Sequence, residues 1–245
     1  MRFRRIGCAL SAAALVASVG GASVRADAAT GAVRLQKLAE AQTRLYAALD
    51  DNTGVSPPRC GQGQRPHGVR GVFLLPVFAA TEAPEPKTIA CVTTAHSVLV
   101  DAGGFAITED ANGPSWPLPF PDGGLVPFDR PHLDAICDDV VENYLPGNGI
   151  SPALVTVDGE ARRPVAVATR WFLAQHSPTL ETQYADSIAL GHPGLLATGF
   201  CGYKTLVHLR PGRHVVTVDY SLIAGAPGTV YTYRLDVLPE RGAGQ

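Results

Sequence analysis

The sequence predicts a mainly β protein: an antiparallel β-sandwich with an N-terminal amphipathic helix and one short inserted helix. Three observations predict it. Runs rich in Val, Leu, Thr and Tyr recur along the chain, with apolar residues alternating within them. Asp-Gly, Pro-Gly and Gly-Gly pairs punctuate those runs where turns are needed. The 26 glycines and 20 prolines among 245 residues suit strands joined by turns better than packed helices.

The chain opens MRFRRIGCALSAAALVASVGGASVRADAA. Arg2, Arg4 and Arg5 form a positive start, Ile6 to Val19 an apolar and small-residue stretch, and Ala26-Asp27-Ala28 a small-x-small site. This is the pattern of a secretory signal peptide, residues 1–28, which predicts an exported protein. Residues 29–52 are expected to be an N-terminal helix. Leu35, Leu38, Leu45 and Leu49 recur on one face, with Arg34, Lys37, Glu40 and Arg44 mostly on the other. A helix packed on the domain fits this short pattern better than a dimerisation helix. Residues 53–240 form a single expected β-sandwich domain, and residues 241–245 a disordered tail.

Within that domain, Val69–Phe78 is an apolar β-rich run. Lys87–Gly103 reads as one long strand with Thr88, Ala90, Val92, Thr94, His96, Val98 and Val100 on one parity. Residues 111–131 read as a Pro/Gly loop. Pro131 then opens the short helix, with Leu133, Ile136, Val140 and Tyr144 on one face and Asp134, Asp138, Asp139 and Glu142 on the other. Ala153–Gln175 reads as two strands around an Asp158-Gly159 turn. Three strands end the chain, divided by Arg210-Pro211-Gly212-Arg213 and by Gly225-Ala226-Pro227-Gly228.

This order of elements resembles a broad set of uncharacterised exported bacterial proteins of immunoglobulin-like or jelly-roll type. The likeness rests on Phe73-Leu74-Leu75, the Cys91–Val100 run, the Leu133–Val140 helix, Val157-Asp158-Gly159, and Leu209–His214 with the strands after it. It covers roughly residues 70–238 and departs at Thr94-Ala95-His96, where Pro-Ala-Gly is more typical. The resemblance implies a sandwich and brings no activity with it.

Loss of the signal would remove four arginines and one aspartate, leaving 16 basic and 21 acidic residues. A net charge near −5 without a basic cluster excludes nucleic acid as an expected partner. No other apolar stretch approaches the roughly 20 residues of a spanning helix, so no transmembrane segment is expected after the signal. Cys60, Cys91, Cys137 and Cys201 would remain, an even number consistent with two disulfides. Three connectivities are open, and loop-closure entropy favours the neighbours Cys60–Cys91 and Cys137–Cys201.

Thr94-Ala95-His96 resembles the way trypsin-like proteases present a catalytic histidine. Asp186 could stand as the acid, but after residue 190 the sole serine is Ser221, within a strand and without the glycines of an oxyanion turn. Gly199-Phe200-Cys201-Gly202 offers a thiol instead, lying only fifteen residues after Asp186. A secreted hydrolase using His96, Asp186 and Cys201 is therefore the alternative reading, and His96 as a strand residue the preferred one. His208 and His214 flank the last turn, where they read as two polar hairpin residues rather than as a facing metal pair. The acids of the short helix read as a solvated face rather than a calcium site. No metal or cofactor is expected. Trp116 and Phe120, in the Pro/Gly loop, are the candidate ligand-binding residues. They could pack on the sandwich or offer aromatic faces to a polysaccharide, a cell-envelope component or a protein. The expected function is that of a non-catalytic exported binding protein.

Overall fold

The computed structural model describes residues 20–49, 71–75, 87–109, 115–118, 124–175, 195–222 and 230–239, with side chains of the first helix for residues 31–45 and 47. Cys60, Phe120, Asp186, most of the signal segment and the 241–245 tail lie outside the described residues.

The chain is mainly β. A first sheet has the order β1 (Val72–Leu74), β3 (Ser97–Thr108), β10 (Leu195–His208), β8 (Val165–Ala168), with β9 (Phe172–Gln175) also paired to β10. A second has the order β2 (Lys87–Thr93), β12 (Val230–Val237), β11 (Gly212–Asp219), β6 (Leu154–Val157), β7 (Glu160–Arg162). A two-residue ladder joins β4 (Trp116–Pro117) to β5 (Leu125–Val126).

The sheets are mixed rather than antiparallel throughout: β1 runs parallel to β3, and β2 parallel to β12. The cause lies at Thr94–His96. The run expected as one strand is two, because the chain crosses from the second sheet to the first at this bend. Thr93 Oγ1 accepts the Ala95 N–H at 2.9 Å and turns the backbone there. Both strands are half-apolar, so the alternation passes through the corner and conceals it. His96 therefore sits in a bend, not in a strand.

A second crossing corrects another expectation. Arg210–Arg213 does not close a hairpin: β10 belongs to the first sheet, whereas β11 pairs with β12 and β6 in the second. The two crossings are tied together by the Leu209 N–H donating to the His96 carbonyl at 2.7 Å. The Asp158-Gly159 turn is a hairpin, β6 to β7, with φ of 52° and 83° as a type I′ turn requires. The chain then leaves that sheet at Pro164, which has no N–H to continue a ladder, and enters the first sheet as β8 and β9.

Three apolar clusters flank the long β3–β10 pair. Val98, Val100, Ala102 and Val207 of the first sheet meet Val155, Val216, Val218 and Leu235 of the second. On the opposite face lies α1 (Gly20–Leu49), where Leu35, Leu38 and Ala39 pack on Leu74, Leu99, Val167 and Phe200. Gln36 Nε2 donates to the Ala168 carbonyl at 2.9 Å, and Gln42 Nε2 to that of Leu75 at 3.2 Å. The expected cleavage near Ala28 would leave this docked part of the helix whole. No helix among the described residues is long and apolar enough to cross a membrane.

The third cluster surrounds α2 (Arg130–Asp139), which continues through a π-helical turn, Val140–Tyr144, into α3 (Leu145–Gly147). Leu133, Ile136, Cys137, Val140 and Leu145 pack on Ile107, Ala197 and Cys201. The π turn moves the helical face by one residue. Leu145 is buried in place of Tyr144, which was expected inward and is 37% exposed.

A β-bulge separates the first and third clusters. Between the pairs Gly202–Gly104 and Lys204–Asp101 the register advances three residues on β3 and two on β10. The extra residue flips the parity of β3. Even-numbered Val98, Val100 and Ala102 face the second sheet, whereas odd-numbered Phe105 and Ile107 face the helical run. The backbones nearly touch at the bulge: a Cβ on Gly202 would lie 2.4 Å from the Gly103 oxygen and from the Gly104 Cα.

Candidate functional site

Beyond the bulge the protein builds a row of four aromatic rings from three parts of the chain. The β4–β5 ladder sets Trp116 opposite Val126. Its indole N–H donates to Asp139 Oδ2 at 2.8 Å. Edge-to-face contacts join Trp116 to Tyr144 at 5.0 Å and to Phe128 at 6.3 Å between centroids. Tyr144 in turn meets Phe105 at 6.2 Å. Phe105 and Tyr144 are exposed, Trp116 and Phe128 half-buried. The row is thus anchored at Trp116 and open to solvent at Phe105 and Tyr144.

Polar contacts hold its support rigid. Glu109, 5% exposed, receives Arg130 through two hydrogen bonds of 2.9 and 3.0 Å and the Ala197 N–H at 2.8 Å. That bidentate contact raises the Arg130 pKa above its ordinary value. Asp134 accepts the Trp171 N–H at 2.7 Å, and Asp138 accepts Arg170 at 3.0 Å. The acids expected as a solvated helix face are therefore partly structural: Asp134, Asp138 and Asp139 each accept a named donor, while Glu142 is exposed. Among the described residues no group of three His, Cys, Asp or Glu side chains could hold a metal ion.

His96 and Cys201 are not brought together. Cys201 is disulfide-bonded to Cys137, with Cα atoms 5.1 Å apart, and fully buried. Cys91 is disulfide-bonded as well, and Cys60, the neighbour favoured for it, lies outside the described residues. His96 is held beside Leu209, eight residues along from Cys201, roughly 25 Å at strand spacing. Its Nε2 is buried, with no hydrogen-bond partner among the described residues. A disulfide sulfur has no thiolate to offer, so the His96–Cys201 pairing has no chemistry here. Asp186 lies outside the described residues. His208 and His214 do not face each other: His208 Nδ1 is 2.9 Å from Ser97 Oγ across the β3–β10 ladder, and His214 Nδ1 is 2.7 Å from Asp158 Oδ2.

One constellation had a sequence signal that the alternation hid. Lys204, 1% exposed, contacts Asp101 Oδ2 with its Nζ, 3.8 Å above the centroid of the Phe200 ring. Burial lowers the lysine pKa and Asp101 only partly restores it, so the net direction is down. Asp101 Oδ1 accepts the Gly103 N–H at 2.7 Å, and its backbone carbonyl accepts Tyr220 Oη at 3.0 Å. A charge inside each of two apolar runs, Val98–Ala102 and Tyr203–Val207, is the pattern that marks such a pair.

No protein family, curated protein or solved structure is matched by this chain.

Proposed function

We propose that this is an exported, non-catalytic β-sandwich protein that binds polysaccharide of the cell envelope through the row Phe105, Tyr144, Trp116 and Phe128. The observation that carries the reading is the exposure of Phe105 and Tyr144 at the end of a row whose other rings are fixed by packing and by Asp139. Sugar rings present flat C–H faces, and rigid aromatic side chains bind such faces at little entropic cost. The sandwich reading is supported by the apolar cluster shared between the two sheets, and export by the signal-like start and the disulfide. Trp116, chosen from sequence as a contact residue, acts in this reading as the anchor behind Tyr144.

The test is retention of the mature protein on insoluble cell-wall polysaccharide, with a glycan array to name the sugar. Tyr144→Ala and Phe105→Ala are each expected to abolish retention while leaving the melting midpoint within a degree or two, as surface truncations do. Retention unchanged in both variants would remove the row as the binding surface.

A further inference from the structure

We propose that Lys204 and Asp101 condense into an intramolecular isopeptide bond, covalently joining β10 to β3, the two longest strands of the first sheet.

The two side chains are cross-strand partners at the bulge, on the face that α1 covers, where Phe200 and Leu206 also lie. Both are withdrawn from water, with side-chain exposures of 2% for Lys204 and 11% for Asp101. The amine touches the carboxyl oxygen, and the Phe200 ring beneath it leaves little room to withdraw. Holding amine and carboxyl in contact replaces a bimolecular encounter with an intramolecular step. Leaving them as ions keeps two charges in an apolar setting, which is costly even when they are paired. An amide holds no charge there.

The step balances without a co-reactant. Lys204 passes one proton to Asp101, giving a neutral amine and a neutral carboxylic acid, a transfer that burial of the lysine favours. The Nζ lone pair attacks Cγ and the C–N bond forms. Charge developing on Oδ1 meets the Gly103 N–H, already 2.7 Å away and aimed at that oxygen. A proton moves from Nζ to the Oδ2 hydroxyl, the C–Oδ2 bond breaks, and water leaves. Among the described residues Asp101 is the carboxylate that acts on Lys204, so the protons move within the pair.

Mass spectrometry of the folded protein, reduced and denatured just before injection, decides the matter. The expected mass is one water below that of the processed sequence, and a tryptic digest should contain the Asp101 peptide joined to the Lys204 peptide. Lys204→Arg and Asp101→Ala should each return to their full sequence masses. Full mass, with the two peptides separate, in wild-type protein whose Cys137–Cys201 bond has formed would overturn the proposal. That reading needs no variant to fold and is independent of whether the aromatic row binds sugar.

Discussion

The two halves of the β3–β10 pair are stabilised in different ways. The half from Ser97 to Ala102 is packed against the second sheet by a broad set of valines and tyrosines, with the Lys204–Asp101 pair on its other face. The half from Phe105 to Thr108 packs on the helical run through its own apolar cluster, and specific attachments reinforce that packing: the Cys137–Cys201 disulfide and the Glu109–Arg130 fork, with Trp116 tied to Asp139 beside them. Where a disulfide and an ion pair reinforce the packing, rings such as Phe105 and Tyr144 are free to stand in solvent. The surface assigned to binding lies on the half that can spare it.

The sharpest way to break this comparison is at the boundary between the halves. Gly202→Ala would drive a Cβ into the Gly103 and Gly104 backbone. Backbone cannot yield as a side-chain tip can, so the expected loss is more than about 4 kcal/mol, seen as failure to accumulate folded protein. Wild-type stability in urea for this variant would mean that the two strands do not approach as described.

Removing the disulfide tests the far half. Replacing Cys137 and Cys201 together by serine opens a loop whose ends are 64 residues apart, which is expected to cost about 4 kcal/mol by loop entropy. Amide exchange should accelerate most in α2 and in Leu195–Cys201, with Val98–Ala102 less affected. Uniform acceleration along β3 would show that the halves are one cooperative unit.

The smallest effect belongs to the near half. His214 Nδ1 faces Asp158 Oδ2 at 2.7 Å and Nε2 faces the Arg210 carbonyl at 2.8 Å. Both partners accept, so the doubly protonated imidazolium fits best. Burial opposes its charge, but the Asp158 hydrogen bond and the Arg210 carbonyl outweigh it and raise the His214 pKa above 6.5. The resulting stabilisation is complete below about pH 6.5 and disappears as pH rises through the raised folded value. Burial likewise opposes the Asp158 charge, while His214 and the Val215 N–H hold its pKa below 3.8. Its share is present above the ordinary carboxylate value and is lost as pH falls through the depressed one. With Asp158 about half exposed, the clamp should contribute on the order of half a kcal/mol. Unfolding free energies from urea titration at pH 6 and pH 8.5 should differ by that amount more in wild type than in His214→Gln. Equal differences in both proteins would count against the clamp.

Much of the fold was legible because local chemistry and tertiary structure agree. Asp158-Gly159 is a hairpin turn on sight, and Pro131 opens the helical run where it should. Legibility fails where the chain changes layer without changing character. Thr94–His96 and Arg210–Gly212 join strands of similar pattern, so each looks like continuity or a hairpin. The bulge at Gly103 and the π turn at Val140–Tyr144 each insert one residue and reverse which side chains face inward. Tyr144 reads as inward in the sequence for that reason, while Trp116, in a stretch with no period to mislead, stands out. Lys204 and Asp101 were passed over because alternation weighs neighbours along one strand, whereas their meaning lies in being opposite each other.

The parallel pairing of β2 with β12 has a consequence for how the chain reaches this structure. Lys87 sits beside Tyr231, 144 positions later (231 minus 87), and β12 lies between β2 and β11. Contacts between such distant segments close late, because the intervening loop must be ordered first. During synthesis β2 emerges early, and its ladder partner among the described strands, β12, follows far behind it. The second sheet is therefore completed in one event, when β12 docks on β11 and captures β2. A chain ending ahead of Val230 would lose the seat of β2 along with β12, leaving the valines of the first sheet facing a layer with only β11, β6 and β7.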